Sequence, residues 1–454
     1  MSLFGMLGAT ARALEAQRFG LDVVGNNLAN VNTPGYTKRV ADLGAVAPVD
    51  RFSAGSGVEM LGVRAMRDRL YDRRLFDELP LEQYEAATAD AAGLAEVALG
   101  SPGTSIDNAL ADFFDAFAGL ADAPASSTAR QQVVTDTQAL AASFKGMASR
   151  LDESAAAADT RLRGEVERLN ALTERLASLN ASIATSPVSQ TLQLRDQQIE
   201  VAKELSGILG TQVVEIANGT LQVTTRTGRP LVLSDTAYPV TASSTPPQGY
   251  ATLQSNGVDI TADITDGRIG GLLQVRDTLI PTYKRELDTL AYGVATAVNT
   301  VHATGYDLTG ASGGALFVRP GAVAGAAAAL TVNAAVVANP SLLAAAAVAS
   351  PGDNGVARQL ANLRDGAIVN GTTPAAAWTS LVYRVGADVN RAETERDSRT
   401  ELVQQIELLR DSVSGVSIDE EAAMMMRFQR AYEANARFFT VIDETIETLL
   451  SLKR

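Results

Sequence analysis

One histidine and no cysteine limit the chemistry this 454-residue chain could perform. Nucleophilic catalysis needs a nucleophile, a base and an acid that orients the base. The lone imidazole, His302, closes a helical stretch, and its simplest role is that of a helix-end residue. Without cysteine there is no disulfide and no thiolate metal site, and one histidine makes no imidazole cluster. The adjacent acids Glu420 and Glu421 could serve acid–base work. Neighbouring helical positions point to different faces, however, and near a helix start both acids favour the dipole, so helix initiation is their expected role. Ser312-Gly313-Gly314 lacks both the lysine and the strand-loop-helix frame of a phosphate loop. Met424-Met425-Met426 could form a soft binding surface, but Met425 falls on a packed helix seam. No catalytic, metal or cofactor site is expected, and the chain reads as a non-enzyme.

Composition narrows the partners. A net charge of −14 argues against a nucleic-acid surface, which needs clustered Lys and Arg to displace counterions. The hydrophobic fraction of 46% is enough for real cores in two or three domains. Glu15 and Arg18 interrupt the first helix, so no cleavable secretory signal is expected. The most apolar stretch, Ala322 to Ala349, is mostly Ala and is broken by Asn333, Asn339 and Pro340. It falls short of the roughly 20 strongly apolar residues of a bilayer span, and the chain is expected to be soluble without membrane insertion.

The elements that could position any site begin with a heptad seam: Leu3, Leu7, Thr10, Leu14, Gln17, Leu21, Val24, Leu28, Val31. It predicts a helix from about Leu3 to Val31, weakened at Thr10 and Gln17. The helix must stop at Asn30-Val31-Asn32-Thr33-Pro34-Gly35-Tyr36, where Pro-Gly suits the centre of a type II turn. An extended stretch follows, with Val58, Met60 and Gly62 alternating. From Arg67 to about Leu209 the pattern is helical, with breaks expected at Pro80, Ser101-Pro102-Gly103, Pro124 and Pro187. Between Thr211 and Ile264 the period changes to that of strands, with a hairpin turn at Asn218-Gly219 and loops around Pro246-Pro247. Helix returns from about Gly270 to Thr304, from Gly355 to Ile368 and from Pro374 to Val413. The Gly/Ala-rich run from Tyr306 to Asp353 shows no clear period.

The last segment carries a second seam: Ile418, Glu421, Met425, Phe428, Tyr432, Asn435, Phe439, Ile442, Ile446, Leu449. Asn435 on such a seam sets register at a cost in stability. The fold class is therefore mainly α, with terminal helices pairing as a coiled coil and a long-helix bundle bearing a small antiparallel β subdomain. Five regions are expected: 1–66 as axial helix and linker, 67–210 as the first half of the bundle, 211–265 as the β subdomain, 266–413 as its second half, and 414–454 as the C-terminal axial helix. Neither seam can be covered by one partner alone, so both ends are expected to order only on assembly, around a core from Arg67 to Val413.

Asn26-Asn27-Leu28-Ala29-Asn30-Val31-Asn32-Thr33-Pro34-Gly35-Tyr36-Thr37-Lys38 resembles the N-terminal signature of flagellar rod, hook and hook-associated axial proteins. Ser414-Gly415-Val416-Ser417-Ile418-Asp419-Glu420-Glu421 and then Arg427-Phe428-Gln429-Arg430-Ala431-Tyr432-Glu433-Ala434-Asn435 are similar to the end of the hook-associated branch. Asp112-Phe113-Phe114, Arg195-Asp196-Gln197, Val298-Asn299 with His302, and Gly305-Tyr306-Asp307-Leu308 agree internally. The resemblance implies a secreted, extracellular structural subunit at the junction of hook and filament. Many copies would surround a channel, with Leu3, Leu7, Leu14, Leu21, Val24 and Leu28 packing against the C-terminal seam. It also implies type III export, hook protein and a second junction protein as neighbours, and a cytoplasmic export chaperone on the C-terminal segment. A hook or distal rod subunit is the alternative inside the family, and a secreted enzyme with an unrecognised site the alternative outside it. Relatives carry β-rich domains after the Phe at the position of Phe317, whereas Asn333 follows here within a short stretch, so the outer domain is expected to be missing or vestigial.

Overall fold

The computed structural model describes residues 3–47, 57–100, 106–244, 249–318, 321–350 and 352–452. Ser101-Pro102-Gly103, Pro246-Pro247 and part of the stretch after the first turn lie outside them. The first seam forms one helix, α1 (Leu3–Ala29), which ends where the Asn-rich turn begins. Strands β1 (Arg39–Ala45) and β2 (Val58–Ala65) then pair antiparallel. Asp42 faces Gly62 while Leu43 faces Met60, so Leu61 is bulged, and Met60 and Leu61 both stand exposed.

The bundle begins with α2 (Arg69–Leu99), α3 (Ile106–Asp122), α4 (Ser127–Thr185) and α5 (Val188–Ile208). The break expected at Pro80 does not occur: the residue sits inside α2. A mid-helix proline costs about 3 kcal/mol, and the burial of Leu75, Phe76 and Pro80 itself offsets it. Ser126 caps α4 by accepting a hydrogen bond from the Ala129 N–H at 3.3 Å. The stripe Leu162, Val166, Leu169, Leu172, Leu176, Leu179 is buried throughout.

Seven short strands follow: β3 (Thr211–Glu215), β4 (Leu221–Thr225), β5 (Pro230–Leu233), β6 (Thr236–Ala237), β7 (Val240–Ser244), β8 (Ala251–Ser255) and β9 (Val258–Asp259). They make two antiparallel sheets, β3-β4-β5-β6 and β7-β8-β9. Gly219 takes a φ of 82° in the first hairpin, as the Asn-Gly signal requires. Three polar side chains of α4 hold these sheets. Asn180 donates to Leu221 O at 2.8 Å and accepts from Leu221 N at 3.1 Å. Asn170 makes the same two-way bond with Val240, at 2.8 and 2.9 Å. Asp159 accepts from the Ala251 N–H at 2.7 Å. Each satisfies backbone that would otherwise be buried unpaired.

The returning helix is two helices joined by a π turn: α6 (Gly267–Gln274), the turn Val275–Leu279, and α7 (Ile280–His302). Pro281 has no N–H for the Asp277 carbonyl, which accounts for the altered ladder at that point. Buried Arg276 sits on this turn, paired with Asp159 at 2.5 Å and Asp277 at 2.8 Å. The unperiodic region contains β10 (Phe317–Val318), α8 (Ala326–Ala329), β11 (Thr331–Val332) and α9 (Ala334–Ala338). β10 and β11 pair directly, and Phe317 reaches into the core, its ring centroid 5.7 Å from that of Phe113.

Three side chains of α7 hold this region as α4 holds the sheets. Asp288 accepts from Gly325 N and Ala327 N at 2.8 and 2.9 Å. Asn299 accepts from Leu316 N and Phe317 N, both at 2.9 Å, and donates to Phe317 O at 2.8 Å. His302 is wholly buried: its Nε2 accepts from the Ala344 N–H at 2.9 Å, which leaves Nδ1 to donate to Gly314 O at 2.7 Å. The helix-end histidine is thus a fixed, neutral bridge, and burial holds its pKa below the usual imidazole range.

The chain ends in α10 (Gly355–Asn362), α11 (Pro374–Ser414) and α12 (Ile418–Ser451). α10 stops short of Ile368, because a 3-10 turn at Leu363–Asp365 leads into Gly366. α11 lies along α2, with Leu75, Val403 and Ile406 forming a shared cluster.

Candidate assembly site

The Asn-rich turn is a latch between the two chain ends. At the end of α1, Asn30 donates to Asn26 O at 2.9 Å, and Thr33 donates to Asn30 Oδ1 at 3.3 Å. The Tyr36 N–H closes a turn onto Thr33 O at 3.2 Å, with Gly35 at a φ of 75°. A Cβ at Gly35 would run into the side chain of Glu200 on α5. The Tyr36 hydroxyl then folds back to within 2.9 Å of both Asn26 Oδ1 and Asn27 Oδ1. Its burial raises the phenol pKa.

Asn27 is the centre of the latch and is 1% exposed. Its carboxamide accepts from Arg39 N at 3.0 Å and donates to Arg39 O at 2.8 Å and to Glu421 Oε2 at 3.0 Å. Lys38 pairs with Glu420 at 2.7 Å and Glu421 at 3.3 Å, while its backbone N–H donates to Ser414 O at 2.8 Å. Burial alone would lower the Lys38 pKa, but the two acids outweigh it and the net shift is upward. On the bundle side, Asp196 of α5 accepts from Thr37 N at 3.5 Å and lies 3.6 Å from the Arg39 guanidinium. Burial dominates there and raises the Asp196 pKa. Signature residues Asn26, Asn27, Asn30, Thr33, Gly35 and Tyr36 thus converge, with Pro34 in the same turn.

Glu421 departs from its expected role. It is 2% exposed and bonded to Asn27 and Lys38, so it ties α12 to the latch rather than merely starting the helix. Its place on the second seam was the signal. Glu420 remains near the helix N-terminus, where the Lys38 bond lowers its pKa.

α1 and α12 pack antiparallel, but through a face rotated from the one written in large apolar residues. The buried side of α1 runs through Thr10, Ala16, Gly20, Val23, Val24 and Asn27. Leu3, Leu7, Leu14, Leu21 and Leu28 lie half-buried on its flank. Gly20 makes the close approach possible, since a Cβ there would come within 2.5 Å of the Phe428 ring. A search for large apolar residues overlooks Ala16 and Gly20, whose smallness is the signal. On α12 only Glu421 and Ile442 are buried. Met425, Phe428, Asn435, Phe439 and Ile446 are half-buried, while Ile418, Tyr432 and Leu449 are exposed. The Asn435 amide donates to Ala431 O of its own helix at 2.9 Å.

Each part of this arrangement has known counterparts. The model of the flagellar hook-associated protein FlgK helical domain matches residues 94–317. The C-terminal model of the flagellar basal body rod FlgEFG proteins matches 410–452, and that of flagella basal body rod proteins matches 8–37. The two halves of the latch and the bundle between them therefore match one group of proteins. Along nearly its whole length the chain is similar to the flagellar hook-associated proteins. Flagellar hook-associated protein 1 of Bacillus subtilis (strain 168) is 26% identical over 501 aligned residues, covering 99% of this chain and 98% of that one. The protein of the same name from Escherichia coli (strain K12) is 25% identical over 322, covering 66% of this chain but only 57% of its own length. The flagellar hook junction protein FlgK from Burkholderia pseudomallei shares the fold, with a TM-score of 0.68 at 17% identity, over 75% of this chain and 100% of that one. The helical-domain match ends at Phe317, the first residue of β10, which pairs with Val332 of β11. Among the described residues no helix is long and apolar enough to cross a membrane, and no group of three side chains could hold a metal.

Proposed function

We propose that this chain is the structural subunit of the extracellular flagellum that joins hook to filament, acting by assembly and without turnover. The observation that carries the reading is the latch: it unites the two terminal segments related to rod proteins into one paired unit and binds that unit to a helical body of the hook-associated type. Family members self-assemble with hook and rod components. For this chain the finer partners are hook protein below, a second junction protein above, copies of itself around the axis, and an export chaperone on the C-terminal segment before secretion through the type III apparatus. The five regions from 1–66 to 414–454 then act as axial helices, a bundled outer layer and a β subdomain, with 306–353 standing in place of an outer domain. Negative-stain images of cells lacking the protein test this. Bare hooks with filament protein lost to the medium are expected, and intact filaments would defeat the proposal.

A further inference from the structure

Along the interface of α2 with α11 the apolar packing is interrupted. In α2 the buried positions jump from Pro80 to Thr88, and in α11 they jump from Ala392 to Val403. Above the gap Trp378, Leu381, Val385 and Val389 of α11 join the main core. Below it Leu75, Val403 and Ile406 make a small cluster of their own, with Tyr71 and Leu79 packed against it. The gap is filled by polar and charged side chains. Arg399 pairs with Glu78 at 2.9 Å, and the Thr400 hydroxyl donates to Glu82 at 3.3 Å. These two bonds fix an antiparallel register, so that Glu85, one turn further along α2, comes opposite the turn of α11 that carries Glu395. The cations in reach are already engaged, Arg399 by Glu78 and Arg391 by Asp388 at 3.0 Å. On the other side of α2, Arg268 of α6 donates to Gln83 at 2.7 Å and pairs with Glu165 of α4 at 3.0 Å. Tyr84, beside Glu85, stays protonated because burial raises its pKa. Burial and the Glu395 charge raise the Glu85 pKa as well, and Arg391 and Arg399 oppose them only in part.

We propose that this band is a pH-sensitive clasp on α11, loose while Glu85 and Glu395 both carry charge and tightened when Glu85 takes up a proton. Two like charges facing each other across partly desolvated helix packing repel, and the two arginines in reach serve other acids as well. Glu395 is exposed and Glu85 half-buried, so Glu85 is the one to accept the proton. An acid whose pKa is higher in the folded chain than in the unfolded one gains stability as pH falls through the folded value. That gain is complete below about pH 4.3. The consequence is mechanical. α11 runs on to the elbow at Ser414-Gly415 that carries α12, and below the band its apolar attachment is the small cluster of Leu75, Val403 and Ile406. A segment with so little buried apolar area opens locally before the core does. Neutral pH therefore lets the lower end of α11 part from α2 more often, and acid stiffens the strut on which the terminal pair is carried.

Amide hydrogen exchange of the full chain as a free subunit, corrected for the intrinsic pH dependence of exchange, tests the clasp. Peptides from 393–408 are the reporter and those from 381–392 the internal reference. In the wild type the reporter should open about threefold less at about pH 4.5 than at about pH 7.5, a modest factor because water screens a partly exposed pair. Glu85→Gln keeps the shape and removes the charge. It should already be protected at neutral pH and change little on acidification, and Glu395→Gln should be protected at neutral pH in the same way. Equal opening at both pH values in the wild type, a pH step that survives in Glu85→Gln, or faster opening of that variant at neutral pH overturns the proposal. If circular dichroism shows that a variant fails to fold, the wild-type profile alone decides. Local exchange is the readout because His302, bound to Gly314 and Ala344 at the end of α7, shifts global stability in the opposite sense over part of the same range. The free subunit suffices, so either outcome leaves the axial reading untouched.

Discussion

The bundle and the terminal pair use the same helical period and arrive at opposite surfaces. In α4 the apolar stripe is buried from Val133 to Ile183, and the polar residues within it, Asp159, Asn170 and Asn180, each grip a strand. In α12 the stripe is as regular, yet Ile442 is its one fully buried apolar residue. The bundle is finished by its own chain, and the terminal pair is not. Burial in a lone subunit thus separates residues that stabilise the subunit from residues that do not, and the proposed assembly surface lies among the latter. The latch lies on the border, with a buried Asn27 on one side and a bare Ile418 on the other.

That contrast is most severely tested by removing equal rings from the two regions. Phe144→Ala should cost the bundle about 3–5 kcal/mol, seen as a lower melting temperature of the monomer. Phe438→Ala should leave monomer melting within about 0.5 kcal/mol while impairing incorporation into flagella. Similar melting losses for both would erase the distinction. Next in size is the latch. Asn27→Ala leaves the buried Glu421 short of a donor, at about 1–3 kcal/mol. Faster hydrogen exchange at 418–428, with α4 unchanged, is the expected readout. Gly35→Val should follow at about 1–2 kcal/mol, since a β-branched residue at positive φ also displaces Glu200; the loss should appear in filament length and motility before bundle stability.

The smallest effect sharpens the bundle side. The His302 pKa is depressed in the folded chain and rises to about 6.5 on unfolding. The unfolded state therefore binds the extra proton first. Stability is complete above pH 6.5 and declines as pH falls from there toward the depressed value, by at most about 1.4 kcal/mol per pH unit. Urea titrations of the wild type and of His302→Gln at several pH values should show a steeper loss below pH 6.5 in the wild type than in the variant. Arg130, the charged group facing the ring, adds to this by disfavouring the imidazolium.

Much of the fold was legible because it was periodic. α1, α4 and α12, the change of period at Thr211 and the positive φ of Gly219 all follow from spacing or turn chemistry. Pro80 misled because local propensity takes no account of α11 packed against α2. The region from Tyr306 to Asp353 was opaque because its order comes from Asp288, Asn299 and His302, which lie on another element and leave no period in the strands and turns they hold. At the latch, the turn was visible and Glu421 was visible only as an odd member of a seam. The pairing of Asn27 with Glu421 spans nearly the whole chain and leaves no local trace.

The direct pairing of β10 with β11 makes this point of the chain a socket for cargo. Asn299 holds the β10 side of the stem and Asp288 holds Gly325 and Ala327 just ahead of β11, so a domain spliced between Val318 and Gly325 would find both of its ends already brought together. Lengthening such a loop is cheap, about 0.6 kcal/mol for each doubling. The girth of the subunit can thus be edited at one address, by splicing or by deletion, while the parts that build the axis stay as they are.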